Sequence, residues 1–171
     1  MAGLLPPLAL FTDDARLPDP IAAARALPKG SLVVIRARDA TRRAGLLNAM
    51  PKDLFVVVAG DPVLAARADG LHLPESRAQE AAHWRARYPR WLITAAQHGT
   101  RPVSPHLDAV FLSAIFPTRS HPGRGALTPI RANAIAQASS VPVYALGGID
   151  ARNAALLHGF VGIAAIGALA V

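Results

Sequence analysis

Short apolar runs recur along this chain roughly every twenty residues, and each ends in glycine or in polar side chains. That rhythm limits the fold more than any other feature. The runs are Leu8 to Phe11, Ser31 to Ile35, Leu54 to Val58, Gly70 to Leu73, Trp91 to Ala96, Ala109 to Phe116, Val141 to Leu146 and Val161 to Ile166. Each is short and nearly uninterrupted, the pattern of a parallel strand covered on both faces. Helix-like spacing fills most of the intervals. Pro20 to Leu27 opens with a proline at its first turn. Ala40 to Met50 is stopped by Pro51, and Pro62 to Arg67 is a turn or two. Ala78 to Tyr88 carries Trp84 on its apolar side. Pro129 to Ala138 has Thr128 as its expected N-cap, and Asp150 is expected to cap Ala151 to Leu157. Residues 99–107, GTRPVSPHL, read as a loop where a fifth helix belongs.

Eight repeated βα units favour a closed barrel over an open doubly wound sheet. The expectation is an α/β fold, a compact TIM (βα)8 barrel. Such barrels run to about 250 residues, and this chain has 171. A shortened or missing fifth helix and a missing or vestigial last helix, with the chain stopping at Val171, are expected to account for the difference. An uncovered final strand would expose apolar surface and favour a homo-oligomer.

One domain spanning residues 1–171 is expected from the length. An apolar content of 52% with 17% charged residues excludes a disordered chain. No run of eighteen apolar residues occurs, so no membrane partner is expected. The start, MAGLLPPLALF, lacks a basic segment and is broken by Pro6 and Pro7, unlike a signal peptide. The absence of cysteine removes disulfides, thiol nucleophiles and thiolate metal sites. A cytoplasmic location is the default. The formal charge of +7 comes without an aromatic-interleaved basic motif. It points to a small anionic substrate rather than to nucleic acid.

In a barrel all C-terminal strand ends meet at one face. There the sequence places Asp13, Arg36, Arg38, Asp61, Glu75, His98, Thr118, Ser120, His121, Gly147, Gly148 and Gly167. The sixth run ends at Pro117, and Thr118, Arg119, Ser120 and His121 follow it with two hydroxyls, a guanidinium and an imidazole. Gly147, Gly148 and Gly167 follow the last two strands, where barrels commonly cradle phosphate on backbone N–H groups. Arg36 and Arg38 are anion contacts or structural ion pairs. His72 reads as a core histidine, and Asp69 and Asp150 as turn or cap residues.

These pieces resemble the thiamine phosphate synthases and their TenI-type relatives. The likeness runs through LALFTDD from Leu8, VVIRARD at 33–39, ADGLHL at 68–73, IFPTRS at 115–120, VPVYALGGIDARN at 141–153 and VGIAAIGAL at 161–169. It implies a TIM barrel that joins hydroxymethylpyrimidine diphosphate to a thiazole phosphate, releasing pyrophosphate with Mg²⁺ help. A pyrimidine cation forms as pyrophosphate leaves, so the chemistry needs charge stabilisation and positioning more than a strong base.

On the thiazole-phosphate side the resemblance carries over well. Thr118 and Ser120 stand where the family has Thr-x-Thr, with Arg119 between them. Gly147, Gly148 and Ile149 match its Gly-Gly-Ile, and Ile166 and Gly167 its final Ile-Ser. On the diphosphate side several groups have changed. Val34 replaces a glutamine, while Arg36 and Arg38 remain as cations for pyrophosphate. Gly60 replaces an asparagine beside Asp61, which the resemblance makes a Mg²⁺ ligand. Arg77 stands where a second acid is expected, leaving Glu75 as its substitute. Ala96 replaces a serine, although His98 is kept, and His121 replaces a lysine. Ala114 occupies the position of the histidine used by TenI-type isomerases, leaving His98 and His121 as acid–base groups. The resemblance therefore implies a synthase with a depleted diphosphate half. The rival expectation is a TenI-like protein that acts on, or merely binds, a thiazole phosphate or similar phosphorylated heterocycle.

Overall fold

The computed structural model describes residues 5–117 and 125–166. Its centre is a closed barrel of eight parallel strands in sequence order. They are β1 (Leu8–Phe11), β2 (Leu32–Ile35), β3 (Phe55–Ala59), β4 (Gly70–Leu73), β5 (Leu92–Gln97), β6 (Ala109–Leu112), β7 (Val143–Leu146) and β8 (Gly162–Ala165). The ring closes by pairing Leu8 with Ile163 and Leu10 with Ala165. Among the described residues five α-helices pack outside: α1 (Pro20–Arg25), α2 (Ala40–Ala49), α3 (Pro62–Ala65), α4 (Ala81–Arg87) and α5 (Pro129–Ala138). As expected, no helix separates β5 from β6. No described helix is long and apolar enough to cross a membrane. The final residues, 167–171, lie outside the described part.

Alternation along the strands divides the apolar residues into two layers. Val33, Ile35, Val56, Val58, Leu71, Ile93 and Val110 face outward into a core shared with the helices. Ala9, Phe11, Leu32, Val34, Val57, Phe111 and Tyr144 fill the barrel interior. Because both faces are covered, the strands read as continuous apolar runs rather than alternating ones.

Four local expectations change. The sixth strand ends at Leu112, not Phe116. Beyond it, Ile115 and Phe116 donate backbone N–H bonds to Leu146 and Gly147, so the segment leans on the end of β7. Thr128 does precede α5, but with φ of 68° its side chain makes no capping bond. The helix read from Ala78 begins as a 3₁₀ turn over Glu75–Glu80 and becomes α-helical only at Ala81. After β7, Asp150 does not cap a helix over Ala151 to Leu157. Its Oδ1 accepts the N–H groups of Arg152 and Asn153 in a local turn, and only Ala154–Leu156 is helical, as a 3₁₀ segment.

Candidate active site

The mouth formed by the C-terminal strand ends has an aromatic floor. Phe11 from β1, His72 from β4 and Phe111 from β6 meet edge to face, with ring centroids 4.8–5.5 Å apart. Tyr144 stacks beneath Phe111 at 4.8 Å. These residues share the inward face because strand neighbours alternate. His72 is buried, and its Nδ1 lies 3.0 Å from the Thr94 hydroxyl. Burial, then the nearby Arg36 charge, push its pKa down to about 3. His72 is therefore a neutral ring at physiological pH. The core reading holds, and the floor is uncharged and aromatic.

Arg36 follows β2 and its guanidinium carbon sits 5.9 Å over the Phe11 ring, within cation–π reach. Its Nη2 donates to Asp13 Oδ2 at 2.7 Å. Arg16 donates to the same oxygen at 2.6 Å. The other oxygen of Asp13 accepts the backbone N–H groups of Ala15 and Arg16. The bonds from Arg16, led by its side chain, hold the Asp13 carboxyl far below the usual range despite partial burial.

Arg38 is placed differently. Its backbone N–H donates to Asp14 Oδ2, while Asp14 Oδ1 accepts from Arg42 Nε. The Arg38 guanidinium has no hydrogen-bond or ion-pair partner among the described residues. Arg43, from α2, donates to the Ala37 and Arg38 carbonyls and faces Asp61 Oδ2 at 3.2 Å. The two candidate arginines thus split. Arg36 is an ion-paired group over the floor, and Arg38 is anchored through its backbone.

The two proposed Mg²⁺ ligands are both engaged. Asp61 is the N-cap of α3: its Oδ1 accepts the Leu64 N–H and its Oδ2 faces Arg43. The Leu64 bond, then Arg43, lower its pKa against the effect of burial. Glu75 spends both oxygens on His98, one on the backbone N–H and one on Nδ1, each at 3.0 Å. Among the described residues no three His, Asp or Glu side chains are grouped to hold a metal. Mg²⁺ prefers several oxygen ligands in octahedral array. Asp61 and Glu75 as placed do not fit a preformed site for it. His98 reaches the mouth with its imidazole half exposed and oriented by Glu75.

On the opposite side of the mouth, Gly147 and Gly148 both adopt the left-handed region, with φ of 100° and 68°. A Cβ on Gly148 would lie 2.7 Å from the Pro117 carbonyl oxygen and 2.8 Å from Phe116 Cβ. Glycine is required there by the close approach of the β6 segment. Asn153 holds the same turn by donating to the Gly148 carbonyl. Ile166 packs against both apolar layers at the end of β8. Thr118, Arg119, Ser120, His121 and Gly167 lie outside the described residues.

Sequence reasoning missed the aromatic floor and the second tier of arginines, Arg16, Arg42 and Arg43. A signal for the floor was present: Phe11, His72 and Phe111 each fall near a strand's C-terminal end, where inward residues face the mouth. The arginines gave none, since their helix and loop positions look like ordinary solvated surface.

An eight-stranded parallel barrel closed in sequence order, with ion-paired arginines over an aromatic floor and a glycine turn opposite, defines a TIM barrel. Residues 23–169 match the thiamine monophosphate synthase family, and the chain belongs to that family. A putative thiamine-phosphate synthase 2 from Aquifex aeolicus is 32% identical over 93 residues, 52% of this chain and 50% of that protein. The matched part spans about half the length of that curated relative. Among solved structures, a thiamine phosphate pyrophosphorylase from Pyrococcus furiosus superposes with a TM-score of 0.75 at 22% identity, covering 96% of this chain and 87% of that one. An aldolase, QR15, gives 0.63 at 13% identity, covering 98% and 92%. At those identities the two structures establish the barrel fold alone.

Proposed function

We propose that this protein joins hydroxymethylpyrimidine diphosphate to a thiazole phosphate, forming thiamine phosphate and releasing pyrophosphate. Membership of the thiamine monophosphate synthase family is the observation that carries this reading. The mouth is compatible with it. A neutral aromatic floor suits a planar heterocycle, and Arg36 stands over that floor where a leaving diphosphate would need positive charge. In the proposed step the carbon–oxygen bond to the diphosphate breaks and its electron pair leaves with pyrophosphate. The thiazole nitrogen then donates its lone pair to the pyrimidine methylene carbon. Neither event needs a base on the protein. Orientation and charge stabilisation dominate the requirement.

Arg36 and Arg38 take the diphosphate in this reading. The Gly147–Gly148 turn, Ile166 and Gly167, with Thr118, Arg119 and Ser120, take the thiazole phosphate. His98 and His121 are the acid–base candidates in this reading. Asp61 and Glu75 would have to leave their present partners to bind Mg²⁺, so no step is assigned to the metal.

Pyrophosphate release by the purified protein tests the proposal. Both substrates and Mg²⁺ are supplied, and each component is omitted in turn. Turnover that depends on the thiazole phosphate is expected. Binding of thiazole phosphate without any turnover would instead support the rival reading, a barrel that binds the phosphorylated heterocycle without joining it.

A further inference from the structure

We infer that Asp13 is a built-in counter-anion for Arg16 and Arg36, and that a ligand of the diphosphate class shares these two arginines against its charge. The inference rests on reading the β1–β2 edge of the mouth as the diphosphate seat. It adds Arg16 to that seat and makes Asp13 the residue that sets which anions enter.

The carboxylate divides its work by atom. Oδ1 is committed to the local turn through the N–H groups of Ala15 and Arg16, at 3.1 and 3.0 Å. Oδ2 alone holds the two guanidinium groups, at 2.6 and 2.7 Å. Asp13 is mostly shielded, with 15% of its side chain exposed, whereas the Arg36 side chain is 45% exposed. Among the described residues the Arg36 guanidinium donates a hydrogen bond only to Asp13. A guanidinium carries five N–H donors, so Arg36 has donors left to face the mouth.

An anion approaching those donors also meets the Asp13 charge. For a monoanion, repulsion by Asp13 offsets much of the attraction to Arg36. A polyanion with two phosphate groups can span to both arginines and outweigh the single internal charge. Asp13 cannot relieve the repulsion by taking a proton, because Arg16 holds it ionised across the physiological range. The same carboxylate therefore keeps the arginines ordered in the absence of ligand and discriminates between anions.

Asp13→Asn isolates this role. The amide oxygen can still accept the two turn N–H groups, while an uncharged NH₂ replaces Oδ2. Sodium pyrophosphate and sodium phosphate are titrated calorimetrically into wild type and variant, with folding checked by circular dichroism. Pyrophosphate should bind the variant roughly tenfold more tightly, and the preference for pyrophosphate over phosphate should narrow. Equal or weaker pyrophosphate binding by the folded variant overturns the inference while leaving the diphosphate seat in place. Binding by neither protein overturns both. Should Asp13→Asn fail to fold, Arg16→Gln carries the test. It removes one cation and leaves Asp13 wholly on Arg36, so pyrophosphate binding should weaken severalfold. Unchanged affinity would remove Arg16 from the seat and overturn the inference.

Discussion

The two sides of the barrel mouth are built on opposite principles. The β1–β3 side is crowded with charge, and nearly all of it is answered internally: Asp13 by Arg16 and Arg36, Asp14 by Arg42, Asp61 by Arg43. The β7 side, where it ends at Gly147 and Gly148, carries no charged side chain. It offers a glycine turn whose shape is fixed by backbone contact with Phe116 and Pro117. In the proposed function one side would recognise its ligand in competition with its own carboxylates, and the other by the form of its main chain. Substitutions should therefore fail differently on the two sides. Changes in the glycine turn should cost the fold, and changes among the arginines should cost binding or rate.

Gly148→Val is the largest expected effect. The new Cβ would overlap the Pro117 carbonyl, and a β-branched residue would be forced into φ of 68°. A loss of about 3–5 kcal/mol is expected, read as a lower midpoint in urea. A variant as stable as wild type would show that the turn yields easily, and the contrast between the two sides would collapse. Arg36→Ala should leave the midpoint nearly unchanged, because the Arg36 side chain is half exposed and Asp13 keeps Arg16 as its partner. Pyrophosphate release should nevertheless fall by roughly a hundredfold. A variant with wild-type turnover would move the diphosphate away from this arginine.

The floor between the two sides has its own signature in pH. His72 in the unfolded chain takes up a proton near 6.5, and in the folded protein only near 3. Between those values the unfolded state binds more protons, so stability falls as the pH falls, by at most about 1.4 kcal/mol per unit for one site. The carboxylates Asp13, Asp14 and Asp61 have lowered pKa values in the fold. Their contributions hold above the ordinary carboxylate pKa and are lost below it. Stability lost between pH 6.5 and 4.5 thus reports the floor, and the further loss toward pH 3 adds the rim. His72→Phe should flatten the first part and keep the second. An unchanged slope between pH 6.5 and 4.5 would mean that His72 is not the group responsible.

The barrel was legible because eight apolar runs at near-regular spacing leave few other closures, and β1, β4 and α5 fall where the sequence puts them. The rim was legible only as a set of residue types at strand ends. Arg36, Asp61 and Glu75 do reach the mouth, but their partners come from elsewhere in the chain. Arg43 meets Asp61 across 18 positions and His98 meets Glu75 across 23. Nothing in a single sequence states such pairings, since they depend on how helices settle over strand ends. That is why the family resemblance makes Glu75 a metal ligand, whereas in the fold it stands as the partner of His98. Gly148 shows the same gap. The sequence presents Gly147-Gly148 as a cradle for a ligand, whereas for Gly148 the nearest obstacle to a side chain is the protein's own β6 segment.

Asp14→Asn is the smallest expected effect and the sharpest check on where the rim's charge acts. Asp14 lies one residue from Asp13 and carries the same charge. It faces Arg42 and the Arg38 backbone, rather than the guanidinium over the floor. Its pair with Arg42 is exposed on both sides, so water and salt screen it. Neutralising it should tighten pyrophosphate binding by roughly twofold at most, well short of the gain expected for Asp13→Asn. The difference between the two variants should persist at moderate salt, because Asp13 is shielded and shares its oxygen with Arg36. If both substitutions tighten binding equally, the rim acts only through its total charge. The geometry around Oδ2 of Asp13 would then have no part in selecting the ligand.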